Sequence, residues 1–464
     1  MDTPIVDFIK KYSKSETKRL HMPGHKGYDY LGFEHMDITE IDGADALYEA
    51  DGIIAHSEEN ASKLFGTFKT LYSTEGSSQC IRAMLYLALL NFKSRAVEGQ
   101  GERNCGKPKI VAARNVHKSF IYAAALLDFD IVWMWPEDGN ERGLCSCEIS
   151  SEELDKKLSG MSETPAAVYI TSPDYLGGQQ NIREIAIVCH NHKTLLLVDN
   201  AHGAYLHFLE QSLHPIDLGA DICCDSAHKT LPVLTGGAYL HISNPLLADE
   251  AKQALALFGS TSPSYLIMSS LDLCNEYLSD DYEQELKNTI DEINKVKYKL
   301  REQGWNIYDS DPLKLTIGAT EFISGIDLAD ILRIHGIEPE FSDPDYLVLM
   351  ITPSNKQTDF SLIPDILGKV SYYEGENEYI SSVKEIPHAS GEQVISIRNA
   401  IFSLHEIINV KDAKGRICGA PTVACPPAIP IAVSGEVIGD PEIRLFEYYG
   451  INEIEVVKEL KNEY

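Results

Sequence analysis

The stretch Ala220-Asp221-Ile222-Cys223-Cys224-Asp225-Ser226-Ala227-His228-Lys229-Thr230-Leu231-Pro232 is the centre around which this chain can be interpreted. Its first half has the apolar character of a short buried strand. Its second half is a polar turn that carries a serine, a histidine and Lys229 together. Because a lysine after a strand is ordinarily a solvated surface residue, the meaning of Lys229 depends on what neighbouring strand ends offer.

A second predicted strand supplies a carboxylate at its end. Residues 194–199 are almost continuously apolar and finish in Asp199, which is the pattern of a buried parallel strand. Ligands of open α/β sheets bind outside the carboxyl ends of the strands, so we expect Asp199 and Lys229 to serve one site. Pyridoxal phosphate needs both an acid for its pyridinium nitrogen and an amine that forms an imine. The two strand ends therefore predict this cofactor.

The composition excludes several classes of protein. The chain has 464 residues, enough for two or three domains, with 44% hydrophobic and 24% charged residues as in ordinary globular proteins. No apolar run reaches the roughly 18 residues of a membrane span, and the start Met1-Asp2-Thr3-Pro4 lacks the features of a secretory signal. The net charge of -30 disfavours nucleic acid and anionic membranes as partners. It is compatible with a cationic substrate, although solubility is the simpler explanation.

The ten cysteines are scattered along the chain. Cys145 and Cys147 have no second pair at the spacing of a zinc site, and Cys223 and Cys224 are adjacent on a predicted buried strand. We interpret them as reduced, mostly buried thiols of a cytoplasmic protein, with neither a disulfide framework nor a metal site.

Strands alternate with helices from about residue 68 to 240, which predicts a mostly parallel sheet with right-handed crossovers. We divide the chain into an N-terminal helix and loop over 1–35, a large cofactor-binding domain over 36–268, and a smaller C-terminal α/β domain with a Pro-rich tail over 269–464. Predicted helices cover 4–12, 57–65 with Ser57 as N-cap, 81–92, 121–127, 182–191 and 269–301; predicted strands cover 69–72, 109–113, 130–135, 166–171, 195–199 and 346–351; predicted loops cover 95–108 and 425–430.

Two further motifs lie near predicted strand ends. Ser77 and Ser78 follow Gly76 immediately before an apolar helix, which is typical of an anion site built from free amides and the helix dipole, or of ordinary N-capping. His117 follows the strand at 109–113. A lone histidine there is more often structural, but at this edge of the sheet we favour a role against the cofactor ring.

The chain resembles the ornithine/lysine/arginine decarboxylase family, pyridoxal-phosphate enzymes whose large domain has the aspartate-aminotransferase fold (fold type I). The resemblance rests on His21-Met22-Pro23-Gly24-His25-Lys26-Gly27, Asn115-Val116-His117-Lys118-Ser119, Asp199-Asn200-Ala201-His202-Gly203, Ser226-Ala227-His228-Lys229-Thr230-Leu231-Pro232 and the tail over 416–436. These segments occur in family order over nearly the whole chain. The length is similar to that of compact members without the additional N-terminal domain.

The resemblance implies a role for each matching residue. Lys229 would hold the cofactor covalently, Asp199 would keep the pyridinium nitrogen protonated, and His117 would stack on one face of the ring. The other expected contacts are Ala201 on the opposite ring face, His202 near the ring 3-hydroxyl, and Ser77, Ser78, Ser226 and His228 on the phosphate. The chain departs from the family pattern at Glu75, which we expect to point away from the phosphate, at Asn200, where an acid is common, and at Ala428, where glycine is usual.

The expected reaction is decarboxylation of arginine, lysine or ornithine to the amine, as in polyamine biosynthesis. Alternatives on the same fold are an aminotransferase, with Arg398 or Arg444 clamping the substrate carboxylate, a side-chain lyase, or an inactive member kept for binding. The basic side chain should meet an acid, for which Asp174, Glu340 and Asp343 are candidates. The resemblance also implies a homodimer or a multiple of it.

Overall fold

A computed structural model describes residues 1–99, 106–135, 143–309, 311–370, 391–424 and 428–459. The chain forms two compact units. The first comprises Met1–Cys105, Asp155–Ser172 and Asn181–Lys287, and the second comprises Gly106–Leu154, Pro173–Gln180 and Asn288–Tyr464. The division into 1–35, 36–268 and 269–464 stays a prediction.

The helices and strands follow one another in the alternation that the sequence predicts for the large domain. The α-helices are α1 Pro4–Ser13, α2 Ile53–Leu64, α3 Ser77–Gly99, α4 Lys118–Leu127, α5 Ser151–Ser159, α6 Ile182–Asn191, α7 Ala227–Thr230, α8 Ala251–Ala256, α9 Tyr265–Leu278, α10 Tyr282–Glu302, α11 Gly325–Ile334, α12 Gln357–Phe360, α13 Ile363–Leu367, α14 Ile397–Ile401 and α15 Asp440–Tyr448. The strands are β1 Lys69–Ser73, β2 Lys109–Ala113, β3 Asp130–Met134, β4 Ala167–Thr171, β5 Leu195–Asp199, β6 Ile222–Asp225, β7 Ala238–Ile242, β8 Lys314–Gly318, β9 Phe341–Ser342, β10 Tyr346–Met350, β11 His405–Asn409, β12 Thr422–Ala424, β13 Ile429–Ala432 and β14 Glu453–Val457. Short 3-10 helices cover Glu34–Met36, Leu47–Glu49, Gly143–Cys145, Ala204–Phe208, Pro245–Leu247 and Val410–Asp412.

Five strands of the first unit run in the order β1-β7-β6-β5-β4. Strands β4, β5 and β6 pair in parallel, whereas β7 is antiparallel to both β6 and β1. The predicted mostly parallel sheet is therefore confirmed, with β7 as the reversed strand. The register places Asp199 of β5 opposite Cys224 of β6, so the residues that follow these two strands leave the sheet side by side.

The second unit contains the parallel pair β2 and β3, the antiparallel sheet β8-β10-β9, and the antiparallel pairs β11 with β14 and β12 with β13. Its apolar side chains form buried clusters. One includes Val410, Ile431, Ala432, Phe446 and Val456, and another includes Cys145, Leu176, Phe341, Tyr346 and Val348. Helix α1, by contrast, docks in the first unit, where the Asp272 carboxylate accepts hydrogen bonds from the amides of Ile5 and Val6 at 3.0 Å each.

The predicted start of helix α2 is wrong. The helix begins at Ile53, so Ser57 is not its N-cap but lies buried inside it, with its hydroxyl bonded to Tyr72. The first turn of α2 is capped by Asp45, which lies eight residues before the helix. Its carboxylate accepts hydrogen bonds from the amides of Gly52 at 2.9 Å and Ile54 at 3.0 Å. The backbone of Asp45 is in the left-handed conformation, at φ 68°. A local sequence pattern does not reveal a cap supplied by a preceding loop.

Replacing Asp45 by alanine is expected to lower the free energy of unfolding by about 2 kcal/mol, because the first-turn amides of α2 lose their acceptor. Asp45→Asn is the matched control, since asparagine tolerates the left-handed conformation and keeps one acceptor oxygen. The midpoints of urea unfolding measure both effects. Equal midpoints for the alanine and asparagine variants would show that the carboxylate does not cap the helix.

Three other predicted boundaries need correction. The long helix over 269–301 is two helices, α9 and α10, separated at Ser279, whose amide bonds back to the last turn of α9. Helix α3 continues to Gly99 through the first part of the predicted loop over 95–108, because its polar residues are good helix formers; residues 100–105 lie outside the described ranges. Of the predicted loop over 425–430, Ile429 and Pro430 belong to strand β13, and residues 425–427 lie outside the described ranges.

Candidate active site

Lys229 lies on α7, the single helical turn that follows β6 and begins after Ser226. Its Nζ is 2.8 Å from Nε2 of His202, which follows β5 and is 5% exposed. Since β5 and β6 are hydrogen-bonded neighbours, the loops after their carboxyl ends bring the amine and the imidazole into contact. The geometry gives Lys229 a hydrogen-bond partner that can accept a proton.

Asp199 ends β5 and is 2% exposed. Oδ2 accepts a hydrogen bond from the Tyr169 hydroxyl at 3.1 Å, and Oδ1 accepts from the Ala201 amide at 3.3 Å and the Cys224 thiol at 3.7 Å. Burial raises the pKa of Asp199, and the positive charge of Lys229 opposes this rise. A carboxylate that is both oriented and short of solvent favours a cationic partner such as a protonated ring nitrogen.

The turn before α3 forms a cradle with His228. Gly76 has φ 70°, and a Cβ placed on it would meet within 4 Å only Cε1 of His228, at 4.0 Å. His228 is held by its Nδ1, which lies 2.9 Å from the carbonyl of Gly237. Ser77 and Ser78 are the first residues of α3, where helix amides point outward. The geometry suits a small anion at the N-terminus of α3.

Ser226 is fully buried, and within the part of the chain that the structure describes its Oγ has no hydrogen-bond partner. A buried hydroxyl without a partner is costly and indicates that a further group completes the site. Ser226 immediately precedes the turn with His228 and Lys229. Its hydroxyl is therefore available to a phosphate oxygen at this end of β6.

Two side chains next to the Gly76 turn make hydrogen bonds with other segments of the first unit. Glu75 accepts a hydrogen bond from the amide of Ser260. Gln79, which the sequence analysis did not select, is fully buried and donates to the Tyr48 hydroxyl and to the carbonyl of Leu255, both at 2.8 Å. These contacts hold the turn through Gly76 in place. A glutamine inside an apolar helix was the available signal for Gln79.

His117 belongs to the second unit, where it is the N-cap of α4 and its Nδ1 accepts from the Ser119 amide at 3.2 Å. The tail meets the same loop: the Lys118 amide donates to the carbonyl of Ala428 at 3.0 Å. Ala428 has φ 60°, a left-handed conformation that favours glycine, which is the residue that the family resemblance leads us to expect here. The role of His117 against the ring stays a prediction.

The tail is secured by a buried ion pair that the sequence analysis did not identify. Arg114, at the end of β2, donates to the carbonyls of Pro430 at 2.8 Å and Ile431 at 3.1 Å. It also lies 3.8 Å from the Glu436 carboxylate, with both side chains buried. Arg114 thus ties the tail to the segment that carries His117.

The candidate substrate-binding residues have different surroundings. Arg398 donates to the carbonyls of Ala125 and Leu126 at the end of α4, and Arg444 is exposed. Among the three acids, Asp174 accepts from the Gly178 amide of its own loop at 2.7 Å, and Glu340 accepts from the Tyr175 hydroxyl at 2.8 Å. Burial raises the pKa of Asp343 to about 7. None of these contacts distinguishes a binding site for the basic side chain.

The fold and these contacts define an α/β enzyme of the aspartate-aminotransferase type with a lysine and an acid at neighbouring strand ends. The family described as "Orn/Lys/Arg decarboxylase, major domain" matches residues 3–318, and the chain belongs to this family. The chain is thereby an amino-acid decarboxylase, a carboxy-lyase.

Similar proteins agree with this assignment. The chain is 28% identical to an arginine decarboxylase of Bacillus subtilis over 95% of this chain and 92% of that protein. It is 28% identical to an arginine decarboxylase of Halalkalibacterium halodurans over 94% of this chain and 91% of that protein. Among solved structures, the lysine decarboxylase of Francisella novicida has a TM-score of 0.77 at 18% identity, covering 98% of this chain and 81% of that chain. In the described ranges, no helix combines the length and apolarity required to cross a bilayer.

Proposed function

We propose that this protein uses pyridoxal phosphate to remove the α-carboxylate of a basic L-amino acid, with arginine as the leading candidate among arginine, lysine and ornithine. The observation that carries the proposal is the contact of Lys229 with His202 beside the buried Asp199. The unpartnered Ser226 hydroxyl and the open space at Gly76 fit the phosphate of this cofactor.

The residues of the candidate site that lie in the first unit each have a role in this proposal. Asp199 keeps a proton on the ring nitrogen, and the Tyr169 and Ala201 contacts orient its carboxylate. Lys229 attaches the cofactor and is positioned to return a proton at Cα of the substrate, with His202 as its proton-accepting neighbour. When bound, pyridoxal phosphate supplies the electron sink for decarboxylation.

The remaining residues bind or shield the cofactor. Ser226, His228 and the first residues of α3, Ser77 and Ser78, hold the phosphate through hydroxyl, imidazole and amide groups. As the family resemblance implies, His117 would cover one ring face and Ala201 would pack on the other.

A substrate panel tests the proposal. Purified protein loaded with pyridoxal phosphate is incubated separately with arginine, lysine, ornithine and the uncharged analogue norleucine, and carbon dioxide and amine are measured. We expect release from one basic amino acid, arginine first, and none from norleucine, because a site that pairs an acid with the basic side chain would leave that acid unpaired with an apolar side chain. Release from none of the basic amino acids, with cofactor bound, would contradict the proposal.

We further propose a homodimer, or a multiple of it, in the cytoplasm, with a product amine that serves polyamine biosynthesis. The dimer is supported by a run of exposed apolar side chains in the loop over 20–33. Their exposed fractions are 93% for Leu20, 57% for Met22, 73% for Tyr28, 82% for Tyr30, 76% for Leu31 and 45% for Phe33. Patches of this kind mark protein interfaces. The eight cysteines in the described ranges are buried and unpaired, as expected for a reducing compartment.

A further inference from the structure

Asp225, the last residue of β6, is surrounded by hydrogen-bond donors although it is fully buried. His214 and His241 each place Nε2 at 3.1 Å from its Oδ2. Asn200 donates through Nδ2 to Oδ1 at 2.7 Å. Both oxygens of the carboxylate are therefore satisfied by side chains from three other segments of the first unit.

The partners are themselves buried and held. His214, His241 and Asn200 are all 0% exposed. Nδ1 of His241 lies 2.8 Å from the Thr70 hydroxyl, so the ring is fixed at both nitrogens. The two histidines lower the pKa of Asp225 even though burial opposes them, so the carboxylate is charged at neutral pH. A buried charge of this kind is tolerated only with full hydrogen bonding.

These contacts join the two loops of the candidate site. Asn200 follows Asp199 directly and precedes Ala201 and His202. Its backbone N–H also donates a hydrogen bond to the backbone carbonyl of Cys224 at 3.0 Å. Asp225 directly precedes Ser226, the first residue of the turn that carries Lys229. The hydrogen bond between Asn200 and Asp225 is thus a side-chain link between the loop of the ring-binding acid and the loop of the lysine.

We propose that Asp225 is a positioning residue for the cofactor site: clamped by His214 and His241, it holds the Asn200 turn and the Ser226 turn at a fixed separation, and so sets where Asp199 and Lys229 meet the cofactor. This inference rests on the proposed function. Asp225 touches neither substrate nor reacting atoms, and it acts through Asn200 and Ser226.

The test variant is Asp225→Asn. The side chain of asparagine has one acceptor, its oxygen, and one donor, its NH2 group. The NH2 group of the new asparagine must therefore face either the two imidazole N–H groups or the side-chain NH2 group of Asn200, and in both orientations two donors face each other. The matched control is Asp221→Asn, just before the opposite end of β6. Asp221 is also buried, and its Oδ2 likewise accepts from a histidine, His190, at 3.1 Å and from the amide of Leu196 at 2.9 Å.

Three properties are measured on both variants: thermal unfolding of the cofactor-free protein, the dissociation constant for pyridoxal phosphate, and the visible circular dichroism of the bound cofactor. We expect Asp225→Asn to weaken cofactor binding by about 10- to 100-fold, as when outer-shell partners of a site are lost, and to change the dichroism. We expect Asp221→Asn to alter the cofactor affinity by less than about twofold, because Asp221 lies about 13 Å from Asp225 along the strand and therefore away from the candidate site. The inference is overturned if the two variants bind the cofactor alike.

A second variant covers the case in which Asp225→Asn does not fold. Asn200→Ala removes the link between the loops but leaves Asp225 with both histidines, so we expect a loss of cofactor affinity of about 5- to 10-fold, equivalent to one hydrogen bond, and a changed dichroism. Unchanged affinity and dichroism in Asn200→Ala would also refute the inference. Failure of the wild-type protein to bind pyridoxal phosphate would instead refute the proposed function, so the two failures are distinguishable.

Discussion

Replacing Lys229 by alanine is expected to lower the rate of decarboxylation by at least about 10⁴-fold, the scale seen when an enzyme loses its covalent nucleophile. The amine is half-buried and lies 2.8 Å from His202 after the end of β6, and it is the proposed attachment point of the cofactor. In the proposed reaction, alanine would remove both this attachment and the group that returns a proton. The measurements are carbon dioxide release and the visible absorbance of the bound cofactor.

Two control variants separate the loss of the covalent attachment from the loss of a positive charge and from a general effect of replacing a lysine. Lys229→Arg keeps the positive charge but cannot form the covalent attachment, so it should be as inactive as the alanine variant. Lys157→Ala removes an exposed lysine of helix α5 and should behave as the wild type. Retention of both turnover and the visible absorbance in Lys229→Ala would reject the assignment of Lys229.

Asp199→Asn is expected to lower kcat by about 10³-fold while the cofactor remains bound, which is the scale of losing one preorganised electrostatic contact in a buried site. The carboxylate is buried and oriented by Tyr169, Ala201 and Cys224, so asparagine fits the space but cannot hold a proton on the ring nitrogen. Turnover at saturating substrate and cofactor content are measured on the same preparation. Loss of the cofactor together with activity would point to a binding role instead.

Tyr169→Phe provides a graded companion to this prediction. It removes the hydroxyl that donates to Asp199 Oδ2 at 3.1 Å but leaves the carboxylate in place. The loss of one hydrogen bond to a charged group is worth about 1.5 to 3 kcal/mol, so we expect a fall in kcat of about 10- to 150-fold. If Tyr169→Phe were as inactive as Asp199→Asn, the hydroxyl would have a direct role in the reaction.

The site residues that could be predicted from the sequence follow recognisable strands, whereas those that were missed depend on partners distant in sequence. Asp199 and Lys229 could be predicted because each comes after an apolar run. A run of that kind indicates a buried strand whichever element it packs against. Gln79 and Tyr169 were missed because a polar residue within an apolar element reveals nothing about its partner. Asp225 lay inside the quoted stretch, but its histidines are 11 and 16 residues away.

The amino-acid sequence by itself determined the alternation of strands and helices, the bounds of α6, the family, and the two strand ends that carry Asp199 and Lys229. Hydrophobic periodicity and turn residues are local, so they are present in the chain before it folds. Only the tertiary structure decided that Asp45 caps α2, that His202 contacts Lys229, that Gly76 faces His228, and that Asp225 joins two loops. These are contacts between segments distant in sequence, and a buried polar group takes its partner from whatever the packing places within hydrogen-bond reach.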